Sequence, residues 1–160
     1  MKSHLLKLFL LVFFSLALLT VPIESRAQKF RVKVARIVDG DTFTATNRDN
    51  LTLRFRLYGI DAPERDQPYG LEATEALAQM IEGKKVVVTV KSTDGWGRHI
   101  VTVKAGRIKD VGALMLQQGM AWQFRRFDTS EHYRKLESKA RRNKVGLWAK
   151  PNPTPPWRWR

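Results

Sequence analysis

Two short loops carry acids beside glycine and proline: Val38-Asp39-Gly40-Asp41-Thr42 and Gly59-Ile60-Asp61-Ala62-Pro63-Glu64. In a chain with 29 Lys and Arg against 15 Asp and Glu, such clusters are either turn formers or the place where a hard cation is held. Cutting a phosphodiester needs an activated water, positive charge around the phosphoryl oxygens and help for the leaving alkoxide. Asp41 and Asp61 follow adjacent predicted strands, so both can reach one cation, with a backbone carbonyl and waters filling the other positions calcium takes. Two carboxylates are a thin set, and a substrate phosphate would complete it. Glu64 follows Pro63, which fixes the chain direction, and is placed to hold a water and act as general base. Arg56 and Arg98 suit a phosphate clamp, because the guanidinium donates in pairs and stays charged at any working pH.

The elements that must carry these residues are legible as alternation. Phe30, Val32 and Val34 alternate with Arg31 and Lys33, a strand with one face buried. Thr42 to Thr46 continues in β-prone residues, and Asn47-Arg48-Asp49-Asn50 is a turn. Leu51, Leu53, Phe55 and Leu57 then share one face, which leaves Arg56 on the other, free to meet a ligand. Gly70 to Ile81 is predicted helical from Leu71, Thr74, Leu77, Ala78 and Ile81, with Gly83 closing it. Lys85 to Val90 and Arg98 to Val103 form a hairpin around Asp94-Gly95-Trp96-Gly97. Val111 to Gln118 is a second helix ended by Gly119. A third begins near Asp128 or Thr129, where Asp128 and Glu131 have capping-box spacing, and runs to about Asn143. Five strands and three helices predict an α+β domain, a five-stranded OB-type barrel with the helices packed outside.

Composition sets the surroundings. Met1 to Ala27 has Lys2 and Lys7, an apolar run from Leu8 to Val21 and Ser25-Arg26-Ala27 at its end, the pattern of a cleaved signal peptide. Export follows as the expectation, to the periplasm or the medium, with an uncleaved N-terminal anchor as the alternative. Residues 28–150 make one domain, and 151–160 a tail rich in Pro, Trp and Arg. Without cysteine there is neither a disulfide nor a thiolate metal site, so oxygen and imidazole ligands remain. Loss of Lys2, Lys7, Arg26 and Glu24 takes the net charge from +14 to +12, an excess that attracts polyanions: nucleic acid first, anionic surface polymers or lipid second. His99 and His132 have no evident role. Trp122, Phe124, Tyr133 and Trp148 are read as packing residues, and Trp157-Arg158-Trp159-Arg160 either touches a polyanion or membrane surface or packs back on the domain.

Taken in order, the motifs resemble the staphylococcal nuclease (thermonuclease) family across roughly Phe30 to Trp148. The pieces are the two acid loops, Arg56-Leu57, Gln67-Pro68-Tyr69-Gly70 with Glu72-Ala73, Asp94, Gly97-Arg98, Gln118-Gly119-Met120-Ala121-Trp122 and Gly146-Leu147-Trp148. The resemblance implies a calcium-dependent nuclease on an OB-type barrel, cutting DNA and RNA with little sequence preference, single strands preferred, and leaving 3'-phosphates. It implies Asp41 and Asp61 as carboxylate ligands of Ca2+, Ala62 as the carbonyl ligand, Glu64 as general base, and Arg56 and Arg98 as the phosphate-binding arginines. Asp39 is then outside the ligand set, supporting it or structural. Departures fall in the substrate pocket: Gly95 and Trp96 stand where the prototype has Lys and Tyr, and Arg125 and Phe127 where tyrosines line the nucleotide site. Stacking survives such changes, whereas hydroxyl hydrogen bonds do not.

Two other readings compete. One is a catalytically silent nucleic-acid-binding OB-fold module of the cell envelope, which would have no chemical need for Arg56, Asp41, Asp61, Glu64 and Arg98 together. The other is an envelope-associated binder of a different anionic polymer, since phosphate polymers look alike to a basic surface. No obligate protein partner is evident, and a monomer is expected.

Overall fold

The computed structural model describes residues 28–160; the expected signal segment, 1–27, lies outside the described residues. The strands are β1 (Lys29–Ile37), β2 (Thr42–Thr46), β3 (Thr52–Leu57), β4 (Ile60–Asp61), β5 (Lys85–Thr93), β6 (His99–Lys104) and β7 (Trp122–Gln123). The helices are α1 (Gly70–Ile81), α2 (Val111–Gln117), α3 (Glu131–Arg142) and the single turn α4 (Pro156–Trp159), with a 3-10 turn at Gly146–Ala149. Five strands close a barrel in the order β1-β2-β3-β6-β5, and β4 pairs with β7 as a separate two-stranded ribbon. All barrel neighbours are antiparallel except β3 and β6, which run parallel and bring Phe55 opposite His99. This is the α+β, OB-type barrel with outer helices that the alternation predicts.

Alternation fills the barrel with β-branched and aromatic side chains. Val34, Phe43, Phe55, Leu57, Val86, Val88, Val101 and Val103 are buried inside it, and Phe43 stacks on Phe55 with ring centroids 5.2 Å apart. Ala73, Leu77 and Ile81 of α1 and Val111, Met115 and Leu116 of α2 join the same core. Removing this apolar area from water is the main force holding the barrel closed, at about 25 cal/mol per Å². A smaller cluster of Trp122, Ala140, Leu147 and Trp148 joins the β7 ribbon to α3 and the 3-10 turn.

Several local expectations shift. The row from Leu51 to Leu57 is buried only at Phe55 and Leu57, because Leu51 sits on the exposed turn before β3 begins. Helix α1 buries Ala73, Leu77, Met80 and Ile81, while Leu71 faces solvent. The third helix starts at Glu131, with Ser130 as its N-cap: the Ser130 hydroxyl accepts from the Tyr133 N–H, whereas Asp128 accepts from the Ser130 N–H and hydroxyl. Asp128 thus supports the cap instead of being it, since a carboxylate two residues upstream of Ser130 closes an Asx turn around it. Segment 151–160 does not hang loose. Gln67 donates from Nε2 to the Thr154 carbonyl at 2.6 Å, Pro156 is buried, and Trp157 stacks on Phe124 at 5.9 Å and meets Trp122 edge-on.

Candidate active site

β2 and β3 pair so that Thr42 lies opposite Arg56, and the Leu57 N–H donates to the Asp41 carbonyl at 2.8 Å. That register places Asp41 beside Arg56. Asp61 arrives from β4, held by its pairing with Trp122 of β7. The two acid loops touch because Gly40 has no side chain: a Cβ there would lie 2.7 Å from the Ala62 Cβ and 2.8 Å from that of Ala73. Any other residue at position 40 would drive the loops apart.

Asp41 and Asp61 are 2% and 1% exposed, respectively. Asp41 accepts from the Thr42 hydroxyl at 2.9 Å and from the Ala62 N–H at 3.1 Å, and its own N–H is taken by Asp39 at 3.0 Å. Asp39 therefore shapes the first loop by holding the Asp41 backbone. Arg56 is the shared counter-ion, its Nη2 standing 2.8 Å from Asp41 and 2.5 Å from Asp61. It does lie opposite the apolar row of β3, but it is engaged by these carboxylates and not free as the alternation implies. Burial pushes the Asp41 carboxyl up to about 7; Arg56 opposes this and the neighbouring Asp39 and Asp61 add to it. Burial works against the Arg56 charge, yet Asp41 and Asp61 outweigh it and hold the guanidinium above its ordinary value. Two buried carboxylates sharing one cation form a site that favours more positive charge.

Glu64 is fixed through its backbone. Its N–H donates to the buried Gln67 Oε1 at 3.1 Å, and its carbonyl accepts from the Gln67 N–H at 3.0 Å. The Glu64 side chain is one-third exposed and ion-pairs with Arg160 Nε at 2.7 Å. Arg160 also donates from Nη2 to both Asp61 oxygens, at 2.6 and 2.8 Å. On the hairpin turn, Asp94 accepts from the N–H groups of Trp96 and Arg98 and from Arg98 Nε at 2.7 Å. Burial draws the Asp94 carboxyl upward, but its hydrogen bonds from Arg98 and Trp96 prevail and hold it below the usual carboxylate range. The Arg98 guanidinium lies over the exposed Trp96 ring, 5.3 Å from its centroid.

These groups meet in a cleft of about 390 Å³ lined by Asp41, Arg56, Ala62, Glu64, Trp96 and Arg98, with Asp39 and Arg160 at its walls. Asp61 lies beneath it, in contact with the two arginines, Arg56 and Arg160, that line the cleft. A second, more apolar hollow adjoins it, formed by Tyr58, Phe124 and Phe127 and sharing Arg56, Trp96, Arg98 and Arg160 with the first. An acidic floor, arginines around it and an aromatic shelf alongside are chemically suited to holding and cutting a phosphodiester.

A family model described as "Staphylococcal nuclease homologue" matches residues 54–150. The chain is 39% identical over 142 residues to a protein named "Micrococcal nuclease" from Shigella flexneri, covering 82% of this chain and 80% of the relative. It is 40% identical over 157 residues to "Protein ParB" of Escherichia coli, covering 91% and 87%. It is 37% identical over 128 residues to an "Uncharacterized endonuclease" of Escherichia coli O157:H7, covering 80% and 83%. The chain belongs to the staphylococcal nuclease family. It is thus a nuclease, a phosphodiester hydrolase.

In this nuclease, Asp41, Ala62, Glu64, Arg56 and Arg98, singled out in the sequence among the metal ligands, base and clamps, come together at one cleft, Asp61 lies beneath it against Arg56, and Trp96 and Phe127 line the cleft or the hollow beside it. Arg125 does not. Its side chain is two-thirds exposed, points to Glu137 at 3.8 Å, and lines a separate cavity with Trp122, Arg141 and Trp157. The peptide turns over at residues 124–127, where the N–H of Phe127 bonds to the Phe124 carbonyl, so Phe124 and Phe127 face the hollow while Arg125 faces α3. Two more aromatics line the hollow: Tyr58, whose hydroxyl donates to the Phe127 carbonyl at 2.6 Å, and Phe124, which packs on Phe127 and Trp157 as its sequence reading expects and also borders the hollow. Arg160 has no place in the site on sequence alone. Alternation along β3 already puts Tyr58 on the Arg56 side, and both line the hollow. Nothing local marks Arg160, whose position depends on how segment 151–160 docks.

Among the described residues, no group of three or more His, Cys, Asp or Glu is gathered as a metal cage. The oxygen donors that could hold a cation are the two buried carboxylates of Asp41 and Asp61 with the Ala62 backbone beside them. They fit a hard divalent cation, because an oxygen-only, doubly anionic, partly open donor set is what calcium accepts with waters in the remaining positions.

Proposed function

We propose that this nuclease is an exported, calcium-dependent enzyme that hydrolyses DNA and RNA with low sequence specificity, preferring single strands and leaving 3'-phosphates. The observation that supports the reading most is the meeting of Asp41, Asp61 and Glu64 with Arg56 and Arg98 at one cleft. Asp41, Asp61 and the Ala62 carbonyl would hold the ion. Calcium bound there supplies positive charge beside the phosphate and a bound water more acidic than bulk water.

The chain's own groups account for the other requirements. Glu64, with its backbone clamped by Gln67 and its side chain reaching open solvent, takes a proton from the attacking water. Arg98, aimed by Asp94, and Arg56, turned from its carboxylates toward the phosphate, neutralise the charge that builds on the phosphoryl oxygens. Phe127, Phe124 and Tyr58 offer π-faces on which any base can stack, which suits splayed single strands and gives little sequence preference. The charge of +12 on residues 28–160 draws the polyanion in. Export rests on the signal-peptide pattern of residues 1–27.

Purified residues 28–160 should degrade single-stranded DNA and RNA in calcium, more slowly degrade duplex, and stop when the ion is chelated. End-labelled products should carry 3'-phosphates. Undiminished cleavage in excess chelator would remove the metal from the reading, and tight DNA binding with no cleavage in any metal would favour the silent binding module. Localisation is tested by fractionating cells that express residues 1–160: the protein should leave the cytoplasm with its first 27 residues removed.

A further inference from the structure

The cation position of the site is contested by a residue of the chain itself. Arg160 reaches both oxygens of Asp61 and one oxygen of Glu64, all within 2.8 Å. These are one proposed ion ligand and the proposed base. With Arg160 in place, the carboxylates of Asp41, Asp61 and Glu64 face two guanidiniums. Withdraw it and the three face only Arg56, leaving a double negative charge that matches a divalent cation. Arg160 also stands at the junction of the catalytic cleft and the aromatic hollow, lining both.

The docking is built along the whole segment. Thr154 accepts from the buried Gln67, the same side chain that holds Glu64. Pro156 is buried, Trp157 lies flat on Phe124, and Trp159 Nε1 donates to Asp66 at 3.3 Å. The single turn α4 then presents Arg160, whose N–H bonds to the Pro156 carbonyl. None of the three large side chains at its end is deep: Trp157, Trp159 and Arg160 all keep over two-fifths of their surface in solvent. A held but shallow segment can be displaced.

We propose that residues 151–160 form an intramolecular plug, with Arg160 standing in for the divalent cation on Asp61 and Glu64 and leaving when the ion and a nucleic-acid phosphate enter. The inference rests on the metal-dependent reading of the same cleft. It makes the empty nuclease self-blocked, so that ion binding includes the cost of releasing the plug. It also gives Trp157 and Trp159 a purpose that neither the barrel nor the chemistry requires.

The test is calcium titration by calorimetry, without substrate, on residues 28–160 and on Arg160→Ala. Breaking one partly exposed ion-pair network should tighten calcium binding about fivefold. Trp157→Ala, which leaves every charge in place and only loosens the segment, should shift binding the same way. In the wild type, calcium should speed tryptic cleavage after Arg158, the exposed site within the plug. Equal calcium affinity in wild type and Arg160→Ala would overturn the plug while leaving the metal reading standing. Weaker binding in Arg160→Ala would overturn it too, by making Arg160 a supporting residue of the site. Absence of calcium binding in both proteins, each shown folded by its circular dichroism, would bring down the metal reading and the plug with it.

Discussion

The carbonyl oxygen of Glu64 occupies the space where residue 70 would carry a side chain: a Cβ on Gly70 would lie 1.8 Å from it. The first turn of α1 therefore presses directly on the loop that presents the proposed base. Gly70→Ala cannot be absorbed by a rotamer change, since the clash is with backbone. We expect the loop to move, with a loss of about 1–3 kcal/mol in stability as for other overpacked sites and a drop in kcat of at least about tenfold from the misplaced carboxylate. Urea unfolding and steady-state cleavage measure the two, and a Gly70→Ala variant with wild-type turnover would show that Glu64 does not need this contact.

Arg56 joins Asp41 and Asp61 where both carboxylates are almost wholly buried at the base of the cleft, and its own side chain is 14% exposed. Arg56→Ala leaves buried Asp41 with no counter-ion and Asp61 with Arg160 alone, a change that costs about 3–5 kcal/mol in comparable buried pairs. Divalent calcium should restore part of that loss through binding to the native state alone. The melting temperature of Arg56→Ala should therefore rise with calcium more steeply than that of the wild type. Parallel slopes would argue against a shared cation site on these two acids.

Much of this arrangement is legible in the amino-acid sequence. Alternation places Phe55 and Leu57 inside the barrel and Arg56 outside, and the Gly and Pro of the acid loops mark them as turns that bring Asp41 and Asp61 together. What escapes is whatever depends on contacts far apart in sequence. The Asp128 to Glu131 spacing suggests a capping box, yet Gln123 and Ser130 recruit Asp128 and the helix starts two to three residues later. Arg125 and Phe127 look equivalent in sequence, and the turn through Phe124 to Phe127 sends one to Glu137 and the other to the hollow beside the cleft. Arg160 is invisible locally because its partners, Asp61 and Glu64, are nearly a hundred residues away.

Tyr133 links α3 to the cap of α2 by donating its hydroxyl to Asp110 at 2.9 Å, while Asp110 accepts the Ala113 N–H. Burial, with the charge of Asp110 beside it, raises the Tyr133 hydroxyl well above its usual value. A raised folded pKa means its stabilising contribution is complete below the unfolded value near 10 and fades as pH rises beyond it, because only the unfolded chain releases the proton. Tyr133→Phe should cost about 1 kcal/mol at pH 7. Above pH 10 the gap between wild type and variant should close, as read by urea unfolding across the pH range; a gap that widens there would contradict the assignment.

Glu64 differs from buried Asp41 and Asp61 in that its backbone is tied down by Gln67 while its side chain is one-third exposed and paired with Arg160, an arrangement that suits the proposed proton acceptor once that pair opens. Glu64→Gln keeps the shape and the Gln67 contacts, since those involve only the backbone of residue 64. It removes the ability to take a proton, so kcat should fall by about two to four orders of magnitude, the usual range for a lost general base. Binding of a single-stranded oligonucleotide should persist or tighten, because one negative charge leaves a cleft that receives phosphate. The ion pair from Arg160 weakens at the same time, so Glu64→Gln should also bind calcium no less tightly than the wild type despite losing a nearby carboxylate. Fluorescence anisotropy and single-turnover cleavage separate the two roles: a variant that cuts normally would take the base away from Glu64, and one that folds but no longer binds the oligonucleotide would make it a substrate-holding residue instead.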